Sequence, residues 1–94
     1  LSGVVELGAI ADIKQQYDVA IIDMPYNLYT SATEAEQQGI LKDALPVTEK
    51  LLVVTIDPID YMIDEAGFSI TDRCLVKKGL FLREILVCER TKVL

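Results

Sequence analysis

A three-layer α/β sheet, with parallel strands and a C-terminal antiparallel hairpin, is the fold this sequence predicts, and three observations carry it. Two short runs, Val19-Ala20-Ile21-Ile22 and Leu51-Leu52-Val53-Val54, are apolar at every position. That is the pattern of strands buried on both faces of a parallel sheet, not the alternation of a half-solvated one. A helix-forming stretch separates them, which implies a right-handed strand-helix-strand crossover. Two β-rich runs then meet at Lys78-Gly79, a dipeptide that suits a tight hairpin.

In chain order, residues 1 to 17 place Val4, Leu7, Ile10 and Ile13 at helix-like spacing, while Gly8 and two alanines leave helix and loop both open. The first strand runs from Tyr17 to Asp23. Ser31-Ala-Thr-Glu34 has the form of a capping box, in which Ser and Glu satisfy the free amides of a helix start. The helix runs to about Leu45, with Ile40, Leu41, Ala44 and Leu45 as its apolar side, and Pro46 ends it. Lys50 to Ile56 forms the second strand. Asp57 is expected to cap a short helix with Pro58 in its first turn, Ile59, Met62, Ile63 and Ala66 on one face, and Gly67 just past its end. The hairpin strands, Ser69 to Lys77 and Leu80 to Glu89, close one edge of the sheet, and the outer edge of the first strand is left unpaired.

At 94 residues, 51% of them hydrophobic, the chain fits one compact domain, residues 1–94, with little room for a second. No apolar run approaches the roughly 20 residues that span a bilayer, so a soluble, cytoplasmic protein is expected. Histidine is absent and Cys74 and Cys88 are the only cysteines, which argues against a metal site of the zinc type. Both cysteines sit in apolar, β-prone runs and are expected to be buried and reduced. A net charge of -6 argues against a broad basic face for nucleic acid. Yet Arg73, Lys77, Lys78, Arg83, Arg90 and Lys92 all fall in the last quarter. A local phosphate contact and a solvated hairpin face both account for that asymmetry.

The chemistry is concentrated where the first strand stops, in Asp23-Met24-Pro25-Tyr26-Asn27. Open α/β sheets bind ligands beyond the carboxyl ends of their strands. Asp23 supplies a carboxylate acceptor there, Pro25 stiffens the backbone and so holds the Met24 carbonyl, and Tyr26 offers an aromatic face. Two acceptors beside a stacking surface suit the exocyclic amine of a nucleobase. The plainer alternative is that Asp23 caps a turn, Pro25 ends the strand and Tyr26 packs on the rim.

Tyr-Asp-Val-Ala-Ile-Ile-Asp23-Met24-Pro25-Tyr26-Asn27 resembles the D/N-P-P-Y motif of S-adenosylmethionine-dependent amino-methyltransferases, which have a Rossmann-like sheet and modify adenine or guanine amines. It is most similar to the proposed RNA methylases that carry a THUMP RNA-binding domain and relate to tRNA guanine-N2 methyltransferases. Asp64-Glu-Ala-Gly67-Phe68-Ser-Ile-Thr-Asp and Arg83-Glu-Ile-Leu-Val-Cys are similar to the family's Ala-Gly-Phe turn and last strand, so the resemblance covers roughly residues 17 to 90. It implies that Asp23 and the Met24 carbonyl accept hydrogen bonds from the target amine, that Pro25 holds the turn, and that Tyr26 stacks on the flipped base. It also places Asp23 against the cofactor, S-adenosyl-L-methionine, and leaves Asn27 either on the substrate or in the turn. The implied partners are an RNA substrate, tRNA foremost, engaged through parts outside this chain, and the upstream half of the methyltransferase domain, with no membrane and no metal. Two departures stand out. Met24 replaces the usual first proline, and the glycine-rich loop and ribose-binding acid are absent, the family's Gly-Asp step corresponding to Gly3-Val4. The chain therefore reads as a partial domain, the C-terminal half of a methyltransferase, expected to be inactive alone.

Two other readings compete. ParA/MinD-like ATPases share an apolar strand ending Ile-Ile-Asp-x-Pro and a second one similar to Val53-Val54-Thr55-Ile56-Asp57-Pro58, but no P-loop is present, Tyr26-Asn27 stands in place of Pro-Gly, and a closing hairpin does not fit their parallel ending. A non-catalytic α/β module used for binding or oligomerisation is the other.

Overall fold

Four strands and three helical segments follow one another through residues 3, 4, 6–24 and 34–92, the part of the chain that the computed structural model describes. A 3-10 segment, Leu7–Asp12, comes first. Then follow β1 (Tyr17–Asp23), α1 (Glu34–Ala44), β2 (Thr48–Thr55), α2 (Asp60–Ala66), β3 (Phe68–Lys78) and β4 (Phe81–Arg90). The sequence of α1 is rich in helix formers, with Glu34 and Glu36 in its first turn and Lys42 in its last, the charge order that complements the helix dipole. Ser31, the expected cap, lies outside the described residues.

The sheet order is β1-β2-β4-β3. β1 and β2 are parallel, with Tyr17 opposite Thr48 and Asp23 opposite Val54. β4 runs antiparallel to both of its neighbours, β2 and β3. The hairpin therefore does not add both strands to an edge in chain order. Its second strand enters the sheet beside β2 and carries β3 outward. That arrangement departs from an all-parallel ending and so speaks against the ATPase reading.

Strand alternation divides the side chains between two unequal faces. Ile22, Leu51, Val53, Leu86 and Cys88 share one face, where they form a single buried cluster with Ile10, with Leu41 and Ala44 of α1, and with Met62, Ile63 and Ala66 of α2. All three helical segments contribute to that cluster. The opposite face takes Val19, Ile21, Leu52, Val54, Ile85 and Val87, and there Val19 is 45% and Ile21 70% exposed. The expectation that β1 is buried on both faces is thus corrected: the described residues supply the sheet and one helical layer, and the far face of β1 is left open. In the first segment Ile10 is buried but Val4 is fully exposed, so only part of the helix-like spacing there marks an inner face.

Local details explain the other departures. α2 begins at Asp60 with Ile59 at its N-cap position and no side-chain cap. Asp57 and Pro58 instead belong to the turn before it, where the Asp57 carbonyl accepts the buried Thr55 hydroxyl at 2.9 Å. Gly67 ends α2 with φ +101°, and its carbonyl accepts from the amides of Thr91 (2.8 Å) and Lys92 (3.1 Å). The end of β4 is held by Arg90, whose guanidinium donates to the carbonyls of Leu45 (2.6 Å) and Thr48 (3.0 Å). In β3 the register shifts between Ile70 and Asp72, leaving Thr71 as the extra residue of a bulge. Beyond it Arg73 shares the Leu86 face and Cys74 the Ile85 face. Both cysteines are free, and Cys88 is buried as expected. Cys74 is not: it is exposed on the edge strand, because the bulge turns it to the open side.

Two expected outcomes follow from this packing. A Cβ at position 67 would stand 2.7 Å from the Lys92 Cβ in a backbone region that L-residues avoid, so Gly67→Ala should cost about 1–3 kcal/mol in urea unfolding; an unchanged midpoint would show that the turn relaxes freely. Burial, with a smaller contribution from Asp60, pushes the Cys88 thiol from the usual 9.0 up to about 11. A folded-state value above the unfolded one means that the neutral thiol's contribution is intact below pH 9 and is lost as pH rises through 11. Ellman's reagent should accordingly label one thiol per native chain quickly and the second only in denaturant.

Candidate functional site

Asp23 and Met24 are successive residues, and the pleat sends them opposite ways. Asp23 is the last residue of β1 and pairs with Val54, with its carboxylate largely in solvent at the carboxyl end of the parallel strands. Met24 still donates its N–H to the Val54 carbonyl at 2.8 Å, and its side chain is 3% exposed within the main core. The residue that departs from the amino-methyltransferase pattern is therefore a structural anchor. A proline at 24 would have no N–H for Val54, whereas methionine supplies both that bond and a core side chain. Pro25, Tyr26 and Asn27 lie outside the described residues, so of the residues singled out by sequence the structure brings together Asp23 and Met24.

Sequence reasoning missed one neighbour of Asp23. Arg83, near the start of β4, places Nη1 3.5 Å from Asp23 Oδ1. β2 lies between the two strands, and Arg83 shares the open face with Asp23 because Asp23 aligns with Val54 and Val54 with Ile85, two residues after Arg83. The residue was visible as part of the basic C-terminal quarter, but its partner depends on the insertion of β4 beside β2, which no local pattern signals.

α1 and α2 are tied together side by side. Glu34, the first residue of α1, accepts a hydrogen bond from Tyr61 of α2, and the Tyr61 phenol titrates above its usual range through desolvation first, then the bond and charge of Glu34. Gln38 donates to Glu65 along the same seam. Arg73 reaches from β3 to Asp60 at the start of α2 (2.6 Å) and to Glu84 of β4 (3.3 Å). A cleft of about 470 Å³ lined by Asp60, Asp64, Asp72 and Arg73 lies along α2 and β3. Another, of about 610 Å³, lies at the amino end of β1 and β2, against Asp18, Glu49 and Lys50. Neither includes Asp23. Among the described residues no cluster of three or more His, Cys, Asp or Glu is placed to hold a metal, and no helix is long and apolar enough to cross a membrane.

A parallel pair followed by an antiparallel strand inserted before the edge strand is the sheet pattern of methyltransferase-like α/β folds, and that is the class this structure defines. Magnesium protoporphyrin IX methyltransferase from Synechocystis, crystallised with S-adenosylmethionine, superposes with a TM-score of 0.68 at 15% identity over 86% of this chain and 42% of its own. A proposed RNA methyltransferase from Pyrococcus horikoshii gives 0.67 at 16% identity over 87% of this chain and 46% of its own. TrmN from Thermus thermophilus gives 0.62 at 14% identity over 92% of this chain and 27% of its own. The chain thus spans less than half the length of each of these structures. No protein-family model matches the chain, and no curated protein does.

The residues present do not fit a whole S-adenosylmethionine. The five glycines are Gly3, Gly8, Gly39, Gly67 and Gly79, and they form no glycine-rich loop next to a strand end. Gly67 and Gly79, the two with positive φ, serve a helix end and the hairpin turn instead. What the chain does contain is a carboxylate at a strand end with an anchored backbone behind it.

Because the Met24 side chain fixes that backbone, Met24→Ala should lower stability by about 2–4 kcal/mol in chemical denaturation. A loss below about 0.5 kcal/mol would mean that the side chain is not seated in the core.

Proposed function

We propose that this chain is the acceptor-binding, C-terminal half of an S-adenosylmethionine-dependent amino-methyltransferase acting on RNA in the cytoplasm, tRNA foremost. The observation that carries the reading is Asp23, exposed at the carboxyl end of β1 and followed by the core-anchored Met24, in a sheet of the methyltransferase type. In this proposal the Asp23 carboxylate and the Met24 carbonyl accept the two N–H groups of an exocyclic amine. That orients the nitrogen lone pair away from them, toward the methyl donor. Pro25 holds the turn, Tyr26 stacks on the base, and Asn27 borders the substrate. No strong base is required when the amine loses its proton late, and the work of the site is orientation and electrostatics.

The methyl donor belongs to the half that carries a glycine-rich loop, whether that half precedes these residues or comes from another chain. The open side of β1, with Ile21 70% exposed, supports such a complement, as does the partial coverage of the related structures. In this reading the 94 residues alone are inactive. An RNA-binding module of the THUMP kind belongs to the same missing portion.

The test is transfer of labelled methyl from S-adenosylmethionine by the full-length protein, with tRNA and duplex DNA offered in parallel. Label should enter tRNA, and Asp23→Ala should reduce the rate by about 10²–10³-fold. Asp23→Asn should retain more activity than the alanine variant, because an amide oxygen still accepts. Transfer insensitive to position 23 would return Asp23 to a turn role, and absence of transfer would favour a binding module.

A further inference from the structure

The hairpin joining β3 to β4 is longer than the strands beside it. β2 ends at Thr55, opposite Glu84, yet the β3–β4 ladder continues through Val76–Arg83, Lys77–Leu82 and Lys78–Phe81. Across the sheet Asp23 aligns with Val54, Val54 with Ile85, and Ile85 with Cys74. β3 points the same way as β1, since β4 opposes both β2 and β3. The four residues from Leu75 to Lys78 therefore carry the ladder roughly 13 Å beyond the level of Asp23, at about 3.3 Å per residue. The hairpin is an arm on the same end of the sheet as the proposed site.

Its composition is unlike the rest of the chain. Residues 75–83 read Leu-Val-Lys-Lys-Gly-Leu-Phe-Leu-Arg, net +3 with no acid, so that in a chain of net -6 the remaining residues carry -9. Lys77 is exposed and makes no ion pair among the described residues. Leu75, Leu80 and Leu82 are exposed beside it, Leu80 almost completely. At the base of the arm Arg83 faces Asp23. A hairpin face that is merely solvated has no need of exposed leucines, and an edge guarded against aggregation does not place them at its tip.

We infer that the β3–β4 arm is a nucleic-acid contact belonging to this half of the enzyme: the positive charge of residues 75–83, with Lys77 exposed on it, neutralises RNA phosphates flanking the target nucleotide, and Leu75, Leu80 and Leu82 pack against the sugars and bases. Isolated cations on an otherwise acidic surface direct a polyanion to one place, since the rest of the surface repels it. Basic, apolar β-ribbons are an established way for strands to grip nucleic acid. The inference rests on the methyltransferase reading for the identity of the substrate. It moves part of the RNA surface from the missing half to this chain.

The experiment is binding of a fluorescein-labelled tRNA transcript to the full-length protein, followed by anisotropy over a range of salt concentrations. Lys77→Ala/Lys78→Ala should lower the slope of log K against log salt by about 0.7 for each phosphate no longer neutralised, roughly 1.4 for the pair. Lys77→Arg/Lys78→Arg should restore the slope, and the unfolding midpoint should be unchanged in both variants. An unaltered slope overturns the inference. So does a result in which Leu80→Ser/Leu82→Ser reduces the mass of an oligomer in sedimentation while the lysine variants bind RNA normally, which would make the arm a protein interface. Methyl transfer measured on the same samples separates this inference from the catalytic reading. Loss of slope without any Asp23-dependent transfer sinks the reading and leaves the arm, whereas Asp23-dependent transfer with an unchanged slope does the reverse.

Discussion

The buried row Ile22, Leu51, Val53, Leu86 and Cys88, packed beneath α1 and α2, is the interaction on which the rest of this structure depends. Because a strand repeats every two residues, holding that row against the helices fixes the register of three strands at once, and a slip of one residue would exchange the faces. Asp23 is in solvent and Met24 in the core for this reason alone. The same register brings Arg83 to Asp23 across β2. The backbone positions of Asp23 and Met24 are thus a by-product of core packing.

The second face has no such cover among the described residues. Its middle is apolar, with Ile21, Leu52, Val54, Ile85 and Val87 together and Asp23, Lys50, Arg83 and Glu89 around them, and β1 carries its most exposed aliphatic residues there. Among the described residues the sheet thus has helices on one face only. At its carboxyl edge the open face carries the Asp23 carboxylate with Arg83 beside it.

Much of the architecture was legible from residue patterns. The continuous apolar runs marked β1 and β2, the Lys78-Gly79 step marked the hairpin, and Gly67 marked the end of α2. What escaped depends on distant partners. Nothing local says that β4, and not β3, lies against β2, since both strands have the same β-rich composition. The bulge at Thr71 reverses which face later residues share, so the environment of Cys74 was invisible to a reading by alternation. Asp57 looked like a cap because Asp often is one, but its turn is organised through its carbonyl and the Thr55 hydroxyl. Of the candidate site, the position of Asp23 at the end of an apolar strand was legible. The anchoring of Met24 and the approach of Arg83 required the third dimension.

The position of β4 in the sheet also sets an order of events for a chain made from its amino end. β2 and β3 have no ladder to each other; each pairs with β4, which comes last of the four strands. Until Phe81–Arg90 has emerged from the ribosome, the nascent protein can form the parallel β1–β2 pair and its helix, but β3 has no strand to join and the row beneath α2 lacks Leu86 and Cys88. Closure then joins segments far apart in sequence, the kind of step that is slow and exposes apolar surface while it waits. Completion of the sheet therefore waits on the last-made of the four strands, and a chain stopped before Phe81 would leave β2 and β3 without their common partner.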